Sequence, residues 1–334
     1  MRNKKGEVIY ERQYITHATL HPQKMVLSVH PLEKAPRSYA QRATEQFLSD
    51  TEHDGRLSMK ARKRLEIALQ WLLYVSKPKR IRAADTGKHF TFEINFITLT
   101  LPATQQHSDE VIKQVCLKNF IDRLSKTHNL THYIWRAEAQ ANGNIHFHLT
   151  TDVYVHYNEV RRIWNESVEL LGYVSQYEKK WHHRDPNSSD VHAVKHTKYL
   201  VAYLSKYMAK NRAFALIGEL RRIKGEVVEV LYGTDKYRKE EGNKKEGKVV
   251  GHVLGGRVRT ITGRLWMCSR SLSKLKGIKV NEEMFDFCEI SKLIQYGDLK
   301  EYRGEHATMF FGDIVSNAQV LSKELYAMFK AARS

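Results

Sequence analysis

The stretch His132–Val155 reads HYIWRAEAQANGNIHFHLTTDVYV, two alternating runs joined through Asn142-Gly143. An Asn-Gly pair between alternating runs is the pattern of an antiparallel hairpin, with His132–Glu138 as one strand, AQANG as the turn and Asn144–Val155 as the return strand. Side chains alternate along a strand. His146, His148 and Thr150 therefore share one face, while Ile145, Phe147 and Leu149 share the other and enter a core. Glu138 lies an even number of residues from both histidines, so a regular hairpin places it opposite His146 or diagonal to it, on the same face. Two imidazoles and a carboxylate on one spot suit Mg, Mn or Zn and leave coordination positions open. By itself, HxH on a strand stays open between a metal site and chance.

The flanking sequence predicts what this hairpin packs against. TFEINFITLTLP, from Thr91, alternates at Phe92, Ile94 and Phe96 and then at Ile97, Leu99 and Leu101, as a strand with a bulge does before Pro102 stops it. Ser108 caps DEVIKQVCLKNFIDRLSK, where Ile112, Cys116, Phe120 and Leu124 recur at helical spacing behind an acidic first turn. Asn158 is expected to cap EVRRIWNESVELL, with Val160, Ile163, Trp164, Val168 and Leu171 on one side and Gly172 as its stop. DPNSSD predicts a turn and VHAV a short extended segment. The expected fold is α+β, a central antiparallel sheet packed by helices, with a basic helical N-terminal addition and a mixed C-terminal one.

Thr197–Lys210, TKYLVAYLSKYMAK, predicts a further helix. On it Tyr199, Tyr203 and Tyr207 form a stripe at i, i+4, i+8, bordered by Lys206 and Lys210. Such stripes usually pack in cores, but two lysines oppose deep burial, because an unpaired buried ammonium is costly. A tyrosine hydroxyl, with a pKa of about 10, is a poor nucleophile unless a cation lowers that value or stabilises its target. Lysine and a metal ion would do both at a phosphodiester, leaving a phosphotyrosine.

Composition agrees with such a target. The 334 residues hold 55 Lys+Arg against 37 Asp+Glu, a net charge of +18, which points to a polyanionic partner. Met59–Ser76 predicts a helix closed by Lys77-Pro78, with Leu65, Ala68, Leu69, Leu72 and Leu73 on one face. Lys60, Arg62, Lys63 and Arg64 at its start, and Lys77, Lys79, Arg80 and Arg82 just after it, are candidate DNA contacts or ordinary solvated charges. Cys116, Cys268 and Cys288 lie far apart, which disfavours disulfides and a thiolate zinc site. With no apolar run suited to a signal peptide or a membrane span, the expectation is a cytoplasmic protein without a membrane partner.

In this order ITLTLP, GNIHFHLT and YLSKYMAK resemble the three motifs of HUH endonucleases, in particular the two-tyrosine replication initiators of rolling-circle phages and plasmids. GRLWMCSRSL at 263–272 resembles the short strand region that follows the third motif. The resemblance spans about residues 90–272. It implies an endonuclease domain over 89–275, between a basic, partly helical region at 1–88 and a C-terminal extension at 276–334. It implies that His146, His148 and Glu138 hold Mg or Mn, and that Tyr203 and Tyr207 alternate as nucleophiles beside Lys206 and Lys210. The implied partners are single-stranded DNA at a replication origin and a host helicase and polymerase, in a prokaryotic cell. GxxxxGK[ST] is absent from the sequence, so no nucleotide cofactor is expected. A relaxase or transposase with the same chemistry, and a non-catalytic binder whose tyrosines stack on bases, are the competing readings.

Overall fold

The structure, a computed structural model, describes residues 14–31, 57–82, 87–140, 142–194, 216–223, 226–233, 260–281, 287–304 and 307–333. The predicted tyrosine helix, with Tyr199, Tyr203, Lys206, Tyr207 and Lys210, lies outside these residues. The chain divides into two compact units, Met1–Glu52 with Ile67–Lys77 and Cys268–Ser334, and His53–Glu66 with Pro78–Met267.

The second unit contains the hairpin. Its strands are β5 (Ile94–Thr100), β6 (Tyr133–Ala139), β7 (Ile145–Thr151), β8 (Ser189–Val194) and β11 (Trp266–Cys268), in the order β11-β6-β7-β5-β8. The β5, β6, β7 and β8 pairings are antiparallel. VHAV is thus the inner part of an edge strand, hydrogen-bonded to β5. The return strand ends at Thr151 rather than Val155, where Thr151 Oγ1 donates to His132 O and the chain bends.

Strand β5 carries no bulge. It is apolar on both faces because both are covered: Ile97 and Leu99 lie on the same face as Leu149 and Phe147, while Phe96 lies on the opposite face against His148. Hydrophobicity alone cannot tell a doubly buried strand from a bulged one. The break falls earlier, at Glu93, between β5 and the ribbon of β3 (Lys79–Arg82) and β4 (His89–Phe92).

Helices pack behind the sheet. Ser108 caps α2 (Asp109–Ile112), its hydroxyl accepting from Val111 N, and a π-helical turn (Lys113–Leu117) leads into α3 (Lys118–His128). The cap of α4 (Tyr157–Glu169) is His156, whose Nδ1 accepts from Asn158 N; Asn158 itself is already helical. Imidazole can serve as the acceptor that Ser or Asn usually supplies. Trp164 of α4 meets Phe120 and Phe147 edge to face and donates its indole N–H to Thr100 O at 2.7 Å. Gly172 ends α4 with a φ of +75° and opens α5 (Tyr173–Trp181), a helix the sequence pattern did not predict. GEVVEVLYG supplies β10 (Glu226–Gly233), paired with β9 (Leu216–Ile223).

The first unit is built on a second five-stranded sheet. The hairpin of β1 (Tyr14–His21) and β2 (Lys24–Pro31) pairs with β12 (Ile278–Asn281) on one side and β14 (Ala307–Phe311) on the other, with β13 (Lys300–Arg303) beyond. Segments from both ends of the sequence therefore share one sheet. Its helices from the C-terminal part of the chain are α6 (Arg270–Lys274), α7 (Phe287–Tyr296), α8 (Ile314–Leu321) and α9 (Lys323–Arg333). Helix α1 (Met59–Val75) begins at the cap of Ser58, whose hydroxyl accepts from Ala61 N. Leu65, Ala68, Leu69, Leu72 and Leu73 are buried as expected, and so is Trp71, which packs with Tyr74 and with Phe329 of α9. Among the described residues no helix is long and apolar enough to cross a membrane.

Candidate metal centre

The register of the hairpin fixes the site. Glu138 pairs directly with His146, and Arg136 with His148. Gly143 makes the turn possible at a φ of +84°, a region that L side chains rarely adopt. The other end of the turn is tied down: Asn144 accepts from Gln105 N and donates to Ala103 O, and Gln105 Oε1 accepts from Ile145 N. These bonds leave β7 no freedom to slip by one residue, which would carry both imidazoles to the helix-covered face.

On the opposite face the carboxylate and the imidazoles converge. Glu138 Oε2 lies 3.5 Å from His146 Nε2 and 3.6 Å from His148 Nε2. One ligand atom from each residue lies within 4.8 Å of the others, and this is the group of three found among the described residues with metal-holding geometry. The rings of His146 and His148 are 4.7 Å apart and steeply inclined, and Phe96 stacks on His148 at 5.2 Å. All three side chains are part-buried, with Glu138 the most open at 22%.

The polar contacts fit a cation. Burial pushes the Glu138 carboxyl up, but hydrogen bonds with His146 and His148 and the charge of Arg136 overcome it and hold the group well below the usual carboxylate range. It is therefore an anion facing two imidazoles. His148 Nδ1 lies 3.1 Å from Thr98 Oγ1; with that nitrogen donating, Nε2 presents its lone pair toward Glu138. Neither ring nitrogen of His146 makes a well-formed hydrogen bond, although both are buried. Buried imidazole nitrogens are normally satisfied, so the pair fits a ligand donating to a metal.

Arg136, Thr98 and Phe96 line the same face, and no ligand-type motif in the sequence marks them. Strand parity could have found Arg136, two residues from Glu138 on one strand. Asp190 and His192 of β8 also lie on this face, 2.7 Å apart, opposite Thr98 and Phe96.

The basic candidates fall on two elements. Lys60, Lys63 and Arg64 are exposed and Arg62 half-buried at the start of α1; Lys77, Lys79, Arg80 and Arg82 are exposed at and before the β3–β4 ribbon. Lys79 donates to Asp152 O, and Arg82 to Gly87 O. Arg80 and Arg82 lie on one face of the ribbon with Thr91 and His89, while Phe90 and Phe92 pack on Tyr154.

Residues 94–212 match the family model of the ORF2-type replication-associated proteins, a rolling-circle replication initiator family. The matched segment opens at the first residue of β5, contains the three candidate ligands and runs past Tyr203, Lys206, Tyr207 and Lys210. No curated protein and no solved structure matches the chain.

Proposed function

We propose that this chain initiates rolling-circle replication by cutting single-stranded origin DNA onto a tyrosine and later rejoining the ends. The observation that carries this reading is the convergence of Glu138, His146 and His148 on one sheet face, inside the segment that matches a replication-associated family.

In this reading Tyr203 or Tyr207 attacks the scissile phosphorus through its phenolic oxygen. The P–O3′ bond breaks, the 5′-phosphate stays on the tyrosine, and the departing oxygen takes up a proton as the phenol loses one, giving a free 3′-OH. Lys206 and Lys210 stabilise the charge of the pentacovalent transition state. Glu138, His146 and His148 hold a divalent ion, Mg or Mn, which when bound supplies electrophilic polarisation of the phosphate. Rejoining is the reverse attack by a 3′-OH on the phosphotyrosine. It needs no nucleotide cofactor, because transesterification conserves the phosphodiester's free energy.

Four residues on a helix separate side chains by about 5–6 Å at Cβ, so two tyrosines at that spacing can serve one phosphate site in turn. Lys60, Arg62, Lys63, Arg64, Lys77, Lys79, Arg80 and Arg82 bind the DNA backbone. Four cations at the start of α1 sit where the helix dipole disfavours them, and an anionic partner relieves that conflict. A host helicase and polymerase, in the cytoplasm of a prokaryotic cell, complete the process.

Incubating the full chain with single-stranded origin DNA and Mn, followed by a denaturing gel, tests the reading. A covalent adduct is expected. Tyr203→Phe and Tyr207→Phe singly should leave some adduct, the double variant none, and Tyr199→Phe should change little. His146→Ala should abolish nicking while DNA binding persists, since affinity comes mainly from the basic surface. An adduct in the double variant overturns the tyrosine assignment; tight DNA binding by the wild-type chain with no adduct favours a non-catalytic binder.

A further inference from the structure

The two carboxylate oxygens of Glu138 are not equivalent. Oε2 is the one shared by the two imidazoles, whereas Oε1 lies 3.1 Å from Arg136 Nη2. Arg136 is on the same strand face, paired in register with His148, and is 5% exposed. Burial weakens the hold of this guanidinium on its proton, Glu138 strengthens it, and the nearby charge of Arg62 weakens it again. An arginine stays cationic through such shifts. A buried cation therefore stands directly beside the residues that are to receive another.

Two roles for Arg136 predict opposite effects on metal binding. As a charge, Arg136 repels a divalent ion, and its removal would tighten binding. As a donor, it fixes one oxygen of a side chain that otherwise rotates freely about its terminal bond, and its removal would loosen binding. The geometry distinguishes these roles. Arg136 occupies the oxygen away from the histidines and leaves the other between them, at nearly equal distances.

We propose that Arg136 is a positioning residue of the metal centre: by taking Oε1 it fixes the Glu138 carboxylate so that Oε2 alone is presented as a single-oxygen ligand between His146 and His148. The proposal rests on the metal reading of these three residues. Arg136 also keeps the part-buried carboxylate paired when no ion is bound, so the site does not depend on the metal to hold its shape.

The test is Mn affinity of the full chain, measured by titration calorimetry with Mn alone and no DNA. Arg136→Met keeps the bulk and removes both donor and charge; Arg136→Lys keeps charge and a donor. Arg136→Gln keeps a donor without charge and serves if the methionine variant fails to fold. Loss of a group that orients a ligand costs about 10–100-fold in metal affinity. A loss of that size is expected for Arg136→Met, with Arg136→Lys recovering most of it and Arg136→Gln falling between. Tighter binding by Arg136→Met or Arg136→Gln would overturn the proposal in favour of simple charge repulsion. Unchanged affinity in a folded variant would overturn it in favour of a packing role. His146→Ala separates the two levels: if it binds Mn like the wild-type chain, or if the wild-type chain binds none, the metal reading itself fails. If His146→Ala loses binding while Arg136→Met keeps it, only the positioning role fails.

Discussion

His21 ends β1 opposite Lys24, and its ring is only 7% exposed with Nδ1 unpaired. Gly277 allows that burial, since a Cβ there would lie 2.5 Å from the ring. Burial, reinforced by the Lys24 charge, lowers the pKa of His21 from 6.5 to about 4. The unfolded chain therefore takes up a proton near pH 6.5 that the folded chain refuses until about pH 4. Stability from this group is present above pH 6.5 and drains away as pH falls through that window, by at most about 3 kcal/mol. Urea unfolding at pH 7 and pH 4.5 should show a smaller difference for His21→Gln than for the wild-type chain; equal differences would refute the burial argument. At this scale the sequence was informative where chemistry followed strand parity. The common face of His146 and His148 needed only the period of two, and Glu138 needed a regular turn. Arg136 and Thr98 escaped because they are not ligand-type residues. A partner that acts through a ligand carries no signature of its own.

The hairpin β6–β7 shows how an element sets the site. Its register places Glu138 against His146, and the turn holding that register requires Gly143 at positive φ, with nothing within 4 Å of where a Cβ would stand. Strain, not a clash, therefore limits substitution. Gly143→Ala should destabilise the domain by about 1 kcal/mol, and Gly143→Asn by less, because Asn tolerates this region better. Thermal unfolding of the three proteins checks the order; an alanine variant as stable as wild type would show that the turn is not held in this form. Long periodic elements such as α1 were legible to within a residue at each end. Shorter ones were not. Helix α5 follows a glycine that the pattern reads as a stop, and β5 looks bulged because both its faces are covered, a tertiary fact that no local window contains.

Across the whole chain the excess of positive charge should appear in binding. With a net charge of +18, affinity for single-stranded DNA should fall steeply with salt, by roughly 0.7 log unit per log unit of salt for each phosphate neutralised. Replacing Arg80 and Arg82 together by alanine should flatten that slope by about 1 unit or slightly more, if each meets one phosphate. Anisotropy titrations between about 50 and 200 mM salt, where this effect is large, measure both slopes; a flat wild-type response would mean that the charge serves another end. The pairing of β1 and β2 with β12 and β14 was hidden from sequence reading, since the partners stand near opposite ends of the chain. That pairing also orders events at the ribosome. Residues 78–267, with the metal ligands, are complete in the nascent chain before β12 or β14 has been made. The β1–β2 hairpin, made first, must wait on the order of half a minute at ordinary translation speed for its neighbours, with both edges unpaired. A cell overproducing this chain would therefore hold many ribosomes carrying exposed strand edges, and slower, cooler expression should favour soluble product by lowering how many such edges coexist.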